Sequence, residues 1–300
     1  MPELPDIMVY VESLEARIQG QRLQKIRLGN PFILRTFDPP LSAASDKAVR
    51  RVERMGKRII LALEDDLFVV IHLMIAGRFH WKKPGAKLPG KVGHAAFDFP
   101  DGTLLLTEAS TKKRASIHLV HGRLALDPFE RGGLEVLGST PKSFHSALTR
   151  ENRTLKRALT DPRLFSGIGN AYSDEILHRA RLSPLTLSQK LSEAEIVRLH
   201  DATTATLKEW IERLRDETGD DFPEKVTAFR KEMAVHGKFG VPCPVCGTKV
   251  QRIVYAENEC NYCPRCQTGG KMLSDRSLAR LLKDDWPKTI DELEQGDLGR

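Results

Sequence analysis

The sequence predicts an α+β protein with an N-terminal β-sandwich, one flanking helix, and a helical domain that ends in a four-cysteine β-hairpin. Three observations support this fold class. An apolar stripe with helical spacing covers residues 5–18, short β-rich runs fill residues 22–126, and helical periodicity returns after residue 142. The 300 residues are enough for two domains with at least one large core.

The charge balance is basic. Lys and Arg total 47 against 40 Asp and Glu, a net charge of +7. This suits a polyanionic partner, although many basic proteins bind no nucleic acid. No apolar run reaches the roughly 18 residues of a membrane span, and the acidic, proline-containing start differs from a secretory signal. We therefore expect a cytoplasmic protein.

The first helix follows an unusual chain start, Pro2-Glu3-Leu4-Pro5-Asp6. Removal of Met1, expected before a small residue, would expose the secondary amine of Pro2. An α-amino group has a pKa of about 7.7 to 8, so a useful fraction is uncharged and can attack a sugar carbon. Glu3 places a carboxylate beside the amine, where burial could suit it to proton transfer. Alternatively, these residues only start a helix, since proline and acidic residues favour a first turn.

The β-rich runs lie at 58–63, 67–73, 95–99 and 104–107, with Asp65-Asp66 and Asp101-Gly102 as hairpin turns. These runs predict a β-sandwich or flattened barrel with the first helix against its edge.

Two basic loops accompany the predicted strands. Lys57 follows Gly56 just before the first run, within a cluster of arginines, and Lys112, Lys113 and Arg114 form a second basic tip. Two such loops at one end of a sheet would hold phosphates by charge. A surface lysine is more often only solvated.

Residues 131–142 are glycine-rich and weakly patterned, which predicts a linker. Short helices are expected at 143–159 and 171–180, and a longer helix carries an apolar face from Ile196 to Leu214. Between the short helices, Gly167-Ile168-Gly169-Asn170 forms a tight loop at a helix N-terminus. Glycines permit close backbone approach, and the free N–H groups of a helix start favour phosphate. Two-glycine turns are also common in proteins that bind no nucleic acid.

Five cysteines lie between residues 243 and 266. Cys243-Pro-Val-Cys246 and Cys263-Pro-Arg-Cys266 are two knuckles separated by sixteen residues. This spacing predicts one structural zinc ion held by four thiolates, with no open position for catalysis. Cys260 could only replace Cys263, and the 263/266 pair alone reproduces the knuckle.

The C-terminal tail, residues 269–300, contains an amphipathic stretch at 274–282 and an acidic end with Trp286-Pro287. Its sequence indicates no chemistry. We expect either a short helix docked on the body or a mobile appendix.

Together these motifs resemble the formamidopyrimidine-DNA glycosylase and endonuclease VIII family of base-excision repair enzymes. The resemblance covers Pro2 to Gln267. Residues 2–5 resemble the family's chain start, and Lys57 resembles its β-hairpin lysine. Residues 167–170 with Asp174-Glu175 resemble its helix-two-turn-helix, and the four knuckle cysteines resemble its zinc finger.

The resemblance implies a bifunctional DNA glycosylase and abasic-site lyase. Pro2 would attack C1′ of a nucleotide that carries a damaged base, which we expect to be oxidised. Glu3 would transfer protons, and β,δ-elimination would then nick the strand. The family also implies a monomer acting on double-stranded DNA at the nucleoid. Lys57, Gly167, Gly169 and Asn170 would hold phosphates around the flipped nucleotide.

The sequence departs from the family pattern where the lesion would be contacted. Asp6 stands where glutamate is usual, and Asn258 stands where a phosphate-binding arginine is expected. Ile75 replaces the methionine that fills the emptied base stack. The stretch 110–115 has no aromatic residue, which leaves Lys112, Lys113 or Arg114 to contact the orphaned base. The excised lesion and its opposite base therefore do not follow from the resemblance.

Three functions stay open: the bifunctional enzyme, an abasic-site lyase with little glycosylase activity, and a non-enzymatic zinc-finger DNA-binding protein. Pro2, Glu3 and Lys57 together favour an enzyme, because binding alone needs no free secondary amine. The expected domains are a catalytic β-sandwich at 1–130, a linker at 131–142, a helix-two-turn-helix domain at 143–236, a zinc finger at 237–268 and a tail at 269–300.

Overall fold

A computed structural model describes residues 1–255, 258–274, 280–281 and 286–297. Two compact units make up the chain, one of Met1–Arg131 with Glu209–Ala228 and the other of Gly132–Lys208 with Phe229–Arg300. The sequence-based limits assigned 209–228 to the helical domain, whereas its contacts assign it to the first unit. None of the helices in the described ranges has the length and apolar composition needed to cross a bilayer.

The first unit begins with one helix, α1 (Leu4–Ile18), and continues with nine strands. These are β1 (Arg22–Leu23), β2 (Lys25–Leu28), β3 (Lys47–Met55), β4 (Arg58–Leu63), β5 (Leu67–His72), β6 (Gly77–Lys82), β7 (Gly93–Phe99), β8 (Gly102–Glu108) and β9 (Ser116–His121). They form two antiparallel sheets with strand orders β1-β3-β4-β5-β9 and β2-β7-β8-β6.

One core joins the two sheets and α1, which confirms the predicted sandwich with its flanking helix. Alternate residues of the strands point into this core, as the period of two requires. The core-facing residues are Ile59, Leu61, Val69, Ile71, Phe97, Leu104, Leu106, Ile117 and Leu119 from the sheets and Ile7, Tyr10, Leu14 and Ile18 from α1.

The hairpin turn between β4 and β5 is the one expected from the sequence. Asp65 and Asp66 both adopt left-handed φ, at 56° and 53°. Two successive left-handed residues match the right-handed twist of paired strands, and aspartate tolerates this conformation better than most residues.

The second unit contains helices and one β-hairpin. Its elements are α2 (Pro141–Thr149), α3 (Leu155–Thr160), α4 (Asn170–Arg179), β10 (Gln251–Tyr255), β11 (Asn258–Tyr262), α6 (Pro264–Thr268) and α7 (Ile290–Asp297). The long helix α5 (Glu193–Thr218) contributes residues to both units.

The helical prediction for 143–159 missed a break between α2 and α3. Thr154 pairs with Leu187 as an isolated β-bridge, and the Arg153 guanidinium bonds to Asp161 at 2.9 Å. Leu187 lies 33 residues beyond Thr154, so helical periodicity does not show the break.

Part of the tail is a docked helix. Ile290, at the start of α7, is fully buried, and its N–H donates to the Gly270 carbonyl at 2.9 Å. Arg265 forms an ion pair with Asp291 at 2.5 Å. Most of the amphipathic stretch predicted at 274–282 lies outside the described residues.

Candidate active site

One end of the five-stranded sheet gathers the basic loops of the first unit. Lys57 lies in the two-residue turn between β3 and β4. Arg58 pairs with His72, and His72 pairs with Ser116. The turn after β5 and the loop before β9 therefore lie at the same sheet end as Lys57. The two basic loops thus share one end of the sheet, as expected from the sequence.

His72, which the sequence analysis did not select, lies at the same sheet end. Burial lowers its pKa to about 4, and the neighbouring charges of Arg58, Lys57 and Arg131 act in the same direction. The imidazole is therefore neutral near pH 7 and available to accept or donate a hydrogen bond. The register of β4, β5 and β9 places His72 between Arg58 and Ser116, and the sequence alone does not show this arrangement.

The predicted nucleophile lies at the start of α1. Pro2, Glu3 and Asp6 are all buried, the two acids at 2% exposure each. The Asp6 carboxylate accepts a hydrogen bond from the Glu3 backbone N–H at 2.9 Å. Aspartate at this position therefore caps the helix start and fixes the backbone of Glu3.

The amino terminus lies in a charged, desolvated environment. In the structure this is the amine of Met1, and its pKa is lowered from the usual value, chiefly by burial. Glu3 and Asp6 favour the charged form, whereas Arg78 and Lys57 oppose it. The charges of all four side chains therefore act on the Met1 amine.

Ile75 lies on a tight turn between β5 and β6. It is 50% exposed, as a residue available to enter DNA must be. Met74 precedes it and has a left-handed φ of 52°, a backbone conformation that is unfavourable for residues other than glycine. Gly77 closes the turn by donating to the Leu73 carbonyl at 2.9 Å, and a Cβ at Gly77 would lie 2.2 Å from that oxygen.

The basic loop before β9 is anchored from inside. The buried Glu108 carboxylate accepts hydrogen bonds from the backbone N–H groups of Arg114 and Ala115, at 3.0 Å and 3.2 Å. The Lys113 ammonium donates to the Glu108 carbonyl. Lys113 thus helps to hold the loop, and Lys112, Lys113 and Arg114 are all exposed on it.

In the second unit, the predicted phosphate loop leads into α4. Gly167 has φ 80°, and Gly169 is the N-cap of the helix. The Asn170 side-chain amide donates to the Glu259 carbonyl on β11 at 2.9 Å. Asn170 therefore holds the cysteine-bearing hairpin in place. This contact joins residues 89 positions apart, so no local sequence pattern predicts it.

A buried ionic network supports α4. The Lys156 ammonium contacts Asp174 at 2.5 Å, the Ser173 hydroxyl at 2.8 Å and the Asn170 carbonyl at 2.7 Å. The other Asp174 oxygen lies 2.8 Å from His236 Nδ1.

Glu175, the next residue on α4, accepts three backbone N–H groups from residues 234–236 at 2.7 to 2.9 Å. Burial raises its pKa despite these three donors. The Asp174-Glu175 pair thus attaches the chain before the zinc finger to α4.

The four knuckle cysteines form one cluster. The sulfur atoms of Cys243, Cys246, Cys263 and Cys266 all lie within 4.8 Å of one another. The Cys243–Cys266 and Cys246–Cys263 sulfurs are 3.9 Å and 3.4 Å apart. Zn–S bonds of about 2.3 Å in a tetrahedron give sulfur separations of about 3.8 Å. The cluster is therefore positioned to bind one zinc ion, as predicted.

Cys260 lies outside this cluster and is 1% exposed. Burial raises the pKa of its thiol well above the ordinary value, and Asp174 acts in the same direction. Cys260 is therefore a neutral core side chain.

Asn258 lies exposed at the end of the hairpin, paired with Tyr255. An amide there can contact a phosphate oxygen but lacks the charge and the fork of arginine.

Three family models match along the chain. The formamidopyrimidine-DNA glycosylase N-terminal domain matches residues 1–115, the formamidopyrimidine-DNA glycosylase H2TH domain matches 133–220, and the zinc finger found in FPG and IleRS matches 240–269.

Full-length relatives and solved structures are also similar. A formamidopyrimidine-DNA glycosylase of Lactobacillus helveticus is 30% identical over 278 residues, covering 89% of this chain and 99% of the relative. One of Heliobacterium modesticaldum is 32% identical over 281 residues, covering 89% and 100%. Lactococcus lactis Fpg in complex with abasic-site DNA has a TM-score of 0.79 at 27% identity, covering 89% and 99%. With three family models matched and these relatives covered over nearly their whole length, the chain belongs to the formamidopyrimidine-DNA glycosylase family.

Proposed function

We propose that this protein is a bifunctional DNA glycosylase and abasic-site lyase that removes damaged bases from double-stranded DNA. The observation that carries the proposal is the start of α1, where Pro2 is buried together with the carboxylates of Glu3 and Asp6. Burial lowers the pKa of the Met1 amine there, and a Pro2 amine buried in its place would likewise be more often uncharged, the form that attacks a sugar carbon. The glycosylase names of the relatives and the abasic-site DNA bound by the Lactococcus lactis protein support this assignment.

The chemistry starts from the Pro2 nitrogen after removal of Met1. The nitrogen forms a bond to C1′ as the bond from C1′ to the base breaks, and the base leaves with a proton. Opening of the sugar ring gives an iminium ion, with Glu3 supplying the proton to the ring oxygen. Because this iminium has no removable N–H, it withdraws electrons from C1′ and acidifies the C2′ protons. Loss of a C2′ proton expels the 3′ phosphate, and a second elimination expels the 5′ phosphate.

Phosphate contacts are proposed in each unit. In the first, Lys57 and the loop residues Lys112 and Arg114 supply positive charge at one sheet end. In the second, Gly167, Gly169 and Asn170 supply backbone and amide donors at the start of α4. Charge and backbone donors fix the position of DNA without reading its sequence.

Zinc has a structural part in this proposal. The four cysteines would hold the ion, which stabilises the hairpin that carries Asn258. The proposed substrate is genomic DNA, so the expected location is the cytoplasm, at the nucleoid.

A second candidate is an abasic-site lyase with little glycosylase activity. It is favoured by Asn258 in place of arginine, by β-branched Ile75 at the wedge turn, and by a loop at 110–115 without an aromatic side chain. These changes affect lesion recognition and leave the nucleophile intact. Duplexes that carry one oxidised purine, one oxidised pyrimidine or an abasic site would separate the two candidates.

Borohydride trapping tests the mechanism. Protein incubated with abasic-site DNA and borohydride should form a covalent complex, and peptide mapping should place the adduct on Pro2. An adduct on a lysine such as Lys57 would contradict the Pro2 mechanism. Tight DNA binding without any adduct would favour the non-enzymatic binding protein.

Three variants control this experiment. Protein that keeps Met1 should trap poorly, because its Pro2 nitrogen is an amide. Pro2→Gly should trap more slowly, because a primary amine replaces the secondary one. Glu3→Gln should impair base removal more than cleavage of a ready-made abasic site, because an abasic sugar opens to its aldehyde without the proton that Glu3 supplies to the ring oxygen.

A further inference from the structure

Arg78, the second residue of β6, joins two separate segments of the first unit. Its Nε donates to the Val226 carbonyl at 2.5 Å. Its Nη1 donates to the carbonyls of Gly77 and Ile75, at 2.6 Å and 3.3 Å. One guanidinium therefore fastens the Ile75 turn and the segment that follows α5.

The segment 222–226, here called the strap, is fixed along β6 by further contacts. The centroid of the Phe222 ring lies 5.8 Å from that of Tyr10 and 6.5 Å from that of Trp81. Glu224 bonds to Lys82 at 2.7 Å and to His80 at 3.2 Å.

The carboxyl end of the strap is the part that Arg78 holds. Val226 is 7% exposed and belongs to the core of the first unit. The strap is thus attached by its aromatic, charged and apolar residues, with the Arg78 bond at its end.

Arg78 lies on β6, which contacts α1, the helix that starts beside the proposed nucleophile: the Phe79 N–H donates to the Tyr10 hydroxyl at 3.3 Å. In the chain that keeps Met1, burial is the main cause that lowers the pKa of the terminal amine, and the charges of Arg78 and Lys57 act in the same direction. Glu3 and Asp6, at the start of α1, act in the opposite direction. Hydrogen bonds to three carbonyls hold the Arg78 guanidinium, and therefore its charge, in one position.

We propose that Arg78 is a positioning residue of the lyase site, which fastens the strap and the Ile75 turn next to the amino-terminal nucleophile. This inference rests on the proposed function. The strap and the turn that presents Ile75 are both held by this one side chain. The planar fork of arginine suits this role, because lysine cannot direct donors to separate carbonyls in fixed directions.

Two readouts test the proposal in full-length protein. Hydrogen exchange of peptides that cover the strap, measured without DNA, reports the fastening. The pH dependence of borohydride trapping on abasic-site DNA reports the charge, since only the uncharged amine reacts. Removal of a nearby cation raises the pKa of an amine, so the acid limb of the trapping profile should move to higher pH.

Three variants separate the two effects. Arg78→Gln should increase strap exchange about tenfold and move the acid limb to higher pH. Arg78→Lys should loosen the strap but keep the limb, because the charge remains. Lys82→Gln is the matched control: Lys82 holds the strap through Glu224 but is not among the groups that shift the pKa of the amine, so only exchange should change.

An Arg78→Gln protein in which strap exchange stays within about twofold of the parent, or in which the acid limb does not move, would overturn the proposal. An Arg78→Gln protein that fails to fold is replaced by Arg78→Lys, whose unchanged strap exchange would also overturn it. Absence of any adduct in the parent protein would instead contradict the Pro2 mechanism, which keeps the two failures distinct.

Discussion

Breaking the buried ion pair between Lys156 and Asp174 should destabilise the second unit strongly. The Asp174 side chain is fully buried and that of Lys156 is 11% exposed. In Lys156→Met, the Asp174 carboxylate would remain buried, with His236 Nδ1 2.8 Å from its other oxygen. The ammonium bonds to the Asn170 carbonyl and the Ser173 hydroxyl would also be lost.

The expected loss is about 3 to 5 kcal/mol of unfolding free energy, because a buried charge without its partner keeps its full desolvation penalty. For a unit of this size, that corresponds to a fall in Tm of about 6 to 20 °C. The double variant Lys156→Met/Asp174→Asn should regain about half of the loss, since the amide is neutral and its oxygen can still accept from His236.

Urea unfolding of the three proteins, combined with hydrogen exchange of α4 peptides, measures the effect and locates it. Arg163→Met is the matched control, since Arg163 pairs with Asp161 at 2.7 Å but is 55% exposed. Its removal should cost less than about 1 kcal/mol. The reasoning is refuted if Lys156→Met lies within about 1 kcal/mol of the parent, or if the double variant is no more stable than the single one.

Four further predictions concern other parts of the chain. Met74→Gly should raise the unfolding free energy by about 0.5 to 1 kcal/mol in urea titrations, because glycine adopts a left-handed φ without strain. The pKa of His72 falls from 6.5 to about 4 on folding, so its contribution, about 3 kcal/mol, is present above pH 6.5 and lost as pH falls toward 4. His72→Gln should flatten that part of the stability profile. Cys246→Ser should lose zinc on metal analysis, whereas Cys260→Ser should retain it. Lys57→Ala should reduce the slope of log DNA affinity against log salt concentration by about one. An unchanged slope would show that Lys57 makes no phosphate contact.

The sequence predicted what depends on local pattern. Short β-rich apolar runs at 58–63 and 67–73 identified β4 and β5, and both faces of these strands are buried. The paired cysteine knuckles identified the metal cluster because a tetrahedral site constrains ligand spacing. Asp65-Asp66 identified a turn because few residue pairs accept two left-handed conformations.

Features that depend on long-range pairing were not visible in the sequence. Lys156 and His236 reach Asp174 from 18 and 62 residues away. Arg78 reaches Val226 from 148 residues away, and no local signal distinguishes it from any exposed arginine on a strand. The membership of 209–228 in the first unit has the same cause, because the strap packs through Phe222 and Val226 onto a sheet formed by the start of the chain.

These long-range contacts connect zinc to the proposed DNA contacts. The Asn170 amide is bonded to the Glu259 carbonyl, so the hairpin stabilised by the four cysteines sets the orientation of a side chain at the phosphate loop. Glu175 ties residues 234–236 to the same helix, and the Gly237 N–H donates to Asn261 on β11 at 2.9 Å. Loss of the metal would therefore remove support from α4 as well as from the finger. It follows that chelation should weaken DNA binding beyond the loss of contacts made by the hairpin itself, while the first unit stays folded with its amino terminus intact.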